Sequence, residues 1–68
     1  MKNPTEQQIE EAIGGMKLRP QPFGEVSAVG YLTRKYDSVQ LFSMPCQTEE
    51  EARLQFKDLV AAELEMYP

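Results

Sequence analysis

The chain has 68 residues, of which 41% are apolar and 26% charged, with a formal net charge of −4. That length holds one domain, and that balance is too apolar for a disordered chain. Cys46 is the only cysteine and histidine is absent, which excludes an intrachain disulfide and argues against a zinc site.

A domain this small buries a modest share of its unfolded surface, so it depends on close packing or on self-association. Met1 to Glu10 carries no apolar core of a secretory signal, and no stretch approaches the roughly 20 apolar residues of a membrane span. A lone thiol in such a chain fits the cytoplasm, and no membrane contact is expected. Charge is unevenly spread. Residues 1–15 sum to −2 (Lys2 against Glu6, Glu10 and Glu11). Residues 16–44 sum to +2 (Lys17, Arg19, Arg34 and Lys35 against Glu25 and Asp37). Residues 45–68 sum to −4 (Arg53 and Lys57 against Glu49, Glu50, Glu51, Asp58, Glu63 and Glu65).

The opening predicts a helix over about 4–13. Asn3 suits the N-cap, Pro4 the first helical position, and Glu6 follows Asn3 at capping-box spacing. Ile9, Ala12, Ile13 and Met16 form one apolar stripe at helical spacing, and Gly14-Gly15 stops the helix. Lys17 to Pro22, with its two prolines, reads as a stiff connector anchored by Leu18.

A β-hairpin is expected over about 25–44. Val26, Ala28, Gly30 and Leu32 fall on one face of its first strand; Val29, Tyr31 and Thr33 fall on the other. In its second strand Val39, Leu41 and Ser43 alternate with Gln40, Phe42 and Met44. Neither face is strictly polar, so helices should cover one and something else the other. Arg34 to Ser38 forms the turn, and Pro45 ends the hairpin. Thr48 with Glu51 is a capping box opening a helix over about 49–66. Glu49, Glu50 and Glu51 favour the positive end of its dipole. Ala52, Phe56, Leu59, Val60 and Tyr67 share the expected core face. Glu63 falls there too, and either lies beyond the hairpin's edge or pairs with a base such as Arg19. The order predicts a small αββα domain of the α+β class. A third edge strand, from the connector or from a second subunit, would improve it.

The absence of histidine removes the Ser-His and Cys-His nucleophile pairs. Gly14-Gly15 follows a helix and is no phosphate loop. The three consecutive glutamates read as first-turn helix charges rather than as paired acid–base carboxylates. No catalytic residue, cofactor or metal is expected. Cys46 stands before a helix N-terminus, which lowers a thiol pKa, but the adjacent glutamates oppose the anion, and it reads as inert.

Two segments stand out as partner-binding candidates. Tyr31, Arg34, Lys35 and Tyr36 place bases beside aromatics at the hairpin tip, a pairing suited to an acidic protein or to phosphates and bases. Glu49, Glu50, Leu54 and Asp58 give the last helix an acidic face with an apolar anchor. A solvated tip and a solvated helix face are the plain readings of both. The expected function is stoichiometric binding to another protein, as an inhibitor or regulator of a host nucleic-acid-processing protein with a basic surface. Compact acidic proteins of this size are common among phage and mobile-element inhibitors, a likeness of size and charge with no motif behind it. The alternatives are a nucleotide- or small-ligand-sequestering protein, and a homo-oligomer burying Val29, Tyr31, Phe42 and Met44 between two hairpins. Direct DNA binding is not expected, because the acidic domain repels a polyanion.

Overall fold

The computed structural model describes residues 4–34 and 36–66. Asn3, Lys35 and Tyr67 lie outside them, so the expected cap, one base of the tip and one apolar contact do too. Helix α1 (Pro4–Gly14) leads to β1 (Lys17–Pro20), a single 3-10 turn (Pro22–Gly24), β2 (Val26–Thr33), β3 (Ser38–Phe42) and helix α2 (Glu49–Met66). The expected α+β class holds, with the helices flanking the hairpin in sequence. The sheet, however, has three antiparallel strands in the order β1-β2-β3.

The third strand comes from the connector. Lys17 pairs with Val29, Leu18 with Ala28, Arg19 with Ser27 and Pro20 with Val26. The two prolines do not forbid this. Ser43 N–H donates to the carbonyl of Ala28, and Val26 and Cys46 exchange both backbone hydrogen bonds. The even-numbered residues of β2 therefore bond toward β3, and Lys17 and Arg19 make the bonds to β2. Leu18 and Pro20 point their backbone groups outward, where a proline's missing donor costs the ladder nothing.

Between β2 and β3, Gly30 pairs with Leu41 and Leu32 with Val39, whereas past Ala28 the partner of Val26 is Cys46. The register has slipped by one residue, so Met44 and Pro45 together oppose Ser27. This is a β-bulge, and it ends β3 at Phe42, short of the expected Met44. Its loose ends are tied locally. Ala28 N–H donates to Ser43 Oγ at 2.8 Å, and Ser43 Oγ donates to the Met44 carbonyl at 3.0 Å. Met44 N–H donates to Gln55 Oε1 at 3.3 Å, which ties the bulge to α2.

Both helices lie on the same face of the sheet, α1 against β2 and α2 against β2 and β3. The core between them is Ala12, Ala28, Leu32, Cys46, Ala52, Phe56, Val60 and Leu64, with Ile9, Ile13, Met16, Leu18, Val26, Val39 and Leu41 packed around it. Phe56 fits only because position 30 is glycine. A Cβ there would come within 2.7 Å of Phe56 Cζ and 3.3 Å of Met16 Cα.

Helix α2 starts as expected: Glu51 N–H donates to Thr48 Oγ1 at 3.1 Å. Its buried stripe is Ala52, Phe56, Val60 and Leu64, and Leu59, expected inside, is 38% exposed. A stripe of four-residue steps drifts around a helix of 3.6 residues per turn. Here it drifts toward α1, which also packs on α2, and Leu59 is left on the flank over β3.

Candidate interaction surface

Strand alternation sends Ala28, Gly30 and Leu32 to the helices and Ser27, Val29, Tyr31 and Thr33 to the opposite face. Through the register, Lys17 and Arg19 of β1 and Ser38, Gln40 and Phe42 of β3 join that second face. No helix covers it. Val29 at its centre is nonetheless buried, sitting in one row with Lys17 and Phe42. Tyr31 is 62% exposed and Phe42 55% exposed. Tyr31 stands opposite Gln40, whose Nε2 donates to the phenol oxygen at 3.3 Å, and diagonal to Phe42. Within the paired strands this face carries two cations, Lys17 and Arg19; its carboxylate is Glu25 at the margin, extended just before β2 and in the ladder register of Gln21.

One end of the sheet adds a further aromatic. Phe23, in the turn between β1 and β2, is 99% exposed and holds a left-handed backbone at φ 66°. Gln21 N–H donates to the Glu25 carbonyl at 2.7 Å, closing the loop that presents it. A bulky L-residue rarely adopts that conformation, and such strain collects at binding positions. Phe23, Lys17 and Arg19 were missed as site residues in the sequence, and Phe42 entered only through the homo-oligomer alternative. Lys17 and Arg19 needed the connector to be taken as the third strand.

The expected tip behaves differently. Tyr31 belongs to the open sheet face and Tyr36 is exposed at the turn. Arg34 is committed within the fold. Its Nε and one terminal nitrogen grip both oxygens of Asp37 at 2.7 Å, and its other terminal nitrogen reaches Glu63 Oε1 at 3.0 Å. Hydrogen bonds from Arg34, with its charge beside them, hold the Asp37 carboxyl below the usual carboxylate range. Glu63 thus finds its base in Arg34, rather than in Arg19 on the other side of the sheet. The cluster pins the β2–β3 turn to the C-terminal half of α2.

The other candidates lie on the outward side of α2. Glu50, Leu54, Asp58 and Glu65 recur there at helical spacing, all exposed, and no ion pair engages the three acids among the described residues. Glu49 reaches sideways to Arg53 at 3.8 Å. This side of the molecule is acidic where the open sheet face is basic. Lys57 leans toward α1, lining with Glu6, Ile9 and Glu10 an open groove of about 330 Å³.

Cys46 is buried, with its thiol donating to the Met44 carbonyl at 3.1 Å, and it serves the bulge. Among the described residues no cluster of His, Cys, Asp or Glu is placed to hold a metal ion, and no helix is long and apolar enough to cross a membrane. No protein-family model matches the chain, and neither a curated protein nor a solved structure matches it.

Proposed function

We propose that the domain acts by stoichiometric binding to another protein, with the uncovered sheet face as its anchor surface and no chemistry of its own. One observation carries this reading: two large aromatics, Tyr31 and Phe42, stand exposed on a face whose strands carry Lys17 and Arg19, with Glu25 only at its margin. Interface cores are enriched in aromatics and Arg and depleted in carboxylates. Phe23 and Met44 are also exposed, near the bulged end of the sheet. The fitting partner presents an apolar hollow rimmed by acidic groups.

The acidic stripe Glu50, Asp58 and Glu65, on the opposite side of the molecule, supports a second reading in which α2 is the working surface: an inhibitor or regulator of a host nucleic-acid-processing protein. The stripe would meet the partner's basic surface, with Leu54 as an apolar contact, and its charge would speed association. In this reading the two meet in the cytoplasm, where Cys46 stays reduced. Sequestering a nucleotide is less favoured, because the Arg34 guanidinium is already shared between Asp37 and Glu63.

The test is capture from host lysate on immobilised protein at low salt. Wild type is compared with a Tyr31→Ser, Phe42→Ser double variant and with a Glu50→Lys, Asp58→Lys double variant. The reading expects one discrete protein on the wild type that the sheet-face variant loses. Loss only with the helix variant would move the working surface to α2. Retention by neither wild type nor variants would sink the proposal.

A further inference from the structure

The two edges of the sheet are finished differently. Edge strands expose unpaired N–H and C=O groups, and proteins blunt them with proline, charge, bulges or covering elements. On β1 the outward positions are Leu18 and Pro20, so one of the two has no donor, and Lys17 and Arg19 add charge. On β3, Gly30–Leu41 and Leu32–Val39 are the pairs bonded to β2, so Ser38, Gln40 and Phe42 turn their N–H and C=O outward. No side chain or backbone group among the described residues meets them. The strand Ser-Val-Gln-Leu-Phe has no proline and no charge, and the bulge begins only after it ends.

We propose that β3 pairs with β3 of a second copy of this chain, antiparallel about a two-fold axis at Gln40. Two domains would then share one six-stranded sheet. The register is self-complementary. Gln40 faces Gln40 of the second copy and each Ser38 faces a Phe42, so every outward donor and acceptor meets its opposite, about six hydrogen bonds in all. On the helix side Val39 falls opposite Leu41 of the second copy, which continues the core across the joint. Such an interface is isologous and closes as a dimer.

Helix α2 supplies an independent sign. A two-fold axis normal to the sheet keeps the helices on one side and brings the two α2 helices together. The flank of α2 turned away from α1 carries Gln55, Leu59, Ala62 and Met66, an uncharged strip at helix-packing spacing on a helix otherwise rich in acids. Gln55 bonds Met44 just beyond β3, which places this flank over the open edge. Leu59 and Met66 are exposed there in the single chain. Two copies of net charge −4 can approach along this seam without a like-charge contact at its centre.

This inference does not rest on the binding function proposed above, because pairing at the edge leaves the open sheet face exposed.

Sedimentation equilibrium from low to high micromolar concentration tests it, with amide hydrogen exchange at both ends of the range. Wild type is expected to reach twice the 7.8 kDa chain mass. The amides of Ser38, Gln40 and Phe42 should become protected only at high concentration. Gln40→Pro removes a donor that β2 does not use and should leave a folded monomer. Leu59→Glu, which cannot disturb the strand, should also favour the monomer. A strict monomer at high concentration overturns the proposal. So does a dimer that survives both variants, or one lost on Tyr31→Ser alone, which would mean face-to-face sheets.

Discussion

Tyr31 and Leu32 are neighbours in β2, and they do opposite jobs. Leu32 is 1% exposed under the helices, whereas Tyr31 is 62% exposed on the bare side of the same sheet. The contrast is local to this end of the strand: Gly30 lies against Phe56 under the helices, while on the other face Ser27 and Val29 are buried and Tyr31 and Thr33 are exposed. Most of the buried apolar surface therefore lies on the helix side, and half of β2's other face stays exposed. A 68-residue chain with one helical layer cannot cover both sides of its sheet.

The largest effects should come from the covered side. Phe56→Ala removes a fully buried ring, a loss of about 3–5 kcal/mol, which is most of the stability such a domain has. Far-ultraviolet circular dichroism should show it largely unfolded at room temperature. Gly30→Ala pushes a methyl into the same ring and should cost about 1–3 kcal/mol by urea titration. If either variant melts like wild type, the packing of Phe56 over Gly30 is not what holds the fold.

Next in size is the Arg34 cluster at the turn. Arg34→Ala leaves Glu63, partly buried, without its base and should cost about 1–2 kcal/mol. Acid should act in the same direction. The Asp37 carboxyl is depressed in the folded state, so its contribution is present above its unfolded value of 3.8 and is lost as pH falls through the lower folded value. Asp37→Asn should lack that part of the acid loss in a pH series of melting temperatures; an unchanged profile would show that Asp37 adds nothing to stability.

Smaller still, and of opposite sign, is Phe23→Gly. Glycine adopts a positive φ without a Cβ penalty, so this change should stabilise the domain by about 1 kcal/mol or less. If Phe23 belongs to the working surface, the same variant should retain less partner. A variant that gains stability and loses no partner would assign the strain to the turn alone.

What was legible in the sequence follows the range of the forces involved. The second helix was readable to the residue, because Thr48 and three glutamates mark its start locally. The two faces of β2 were readable from alternation. The connector's role was legible only as one of two alternatives for a third edge strand, because Lys17–Pro20 becomes a strand by pairing with residues outside its own segment. Arg34 looked like an available base at a turn, and only the fold brings Glu63 to it from 29 positions away. Leu59 was placed in the core because helical spacing alone does not know that α1 draws the buried stripe toward Leu64.

The most direct test compares the two neighbours. Leu32→Ala and Tyr31→Ala, each measured by urea denaturation against wild type, remove a large side chain from opposite faces at adjacent positions. Leu32→Ala should cost about 2–5 kcal/mol. Tyr31→Ala should cost under about 1 kcal/mol, the scale of one exposed cross-strand pair. If Tyr31→Ala destabilises the domain as much as Leu32→Ala does, the bare face is part of what holds the fold, and the division between a folding face and a binding face is wrong.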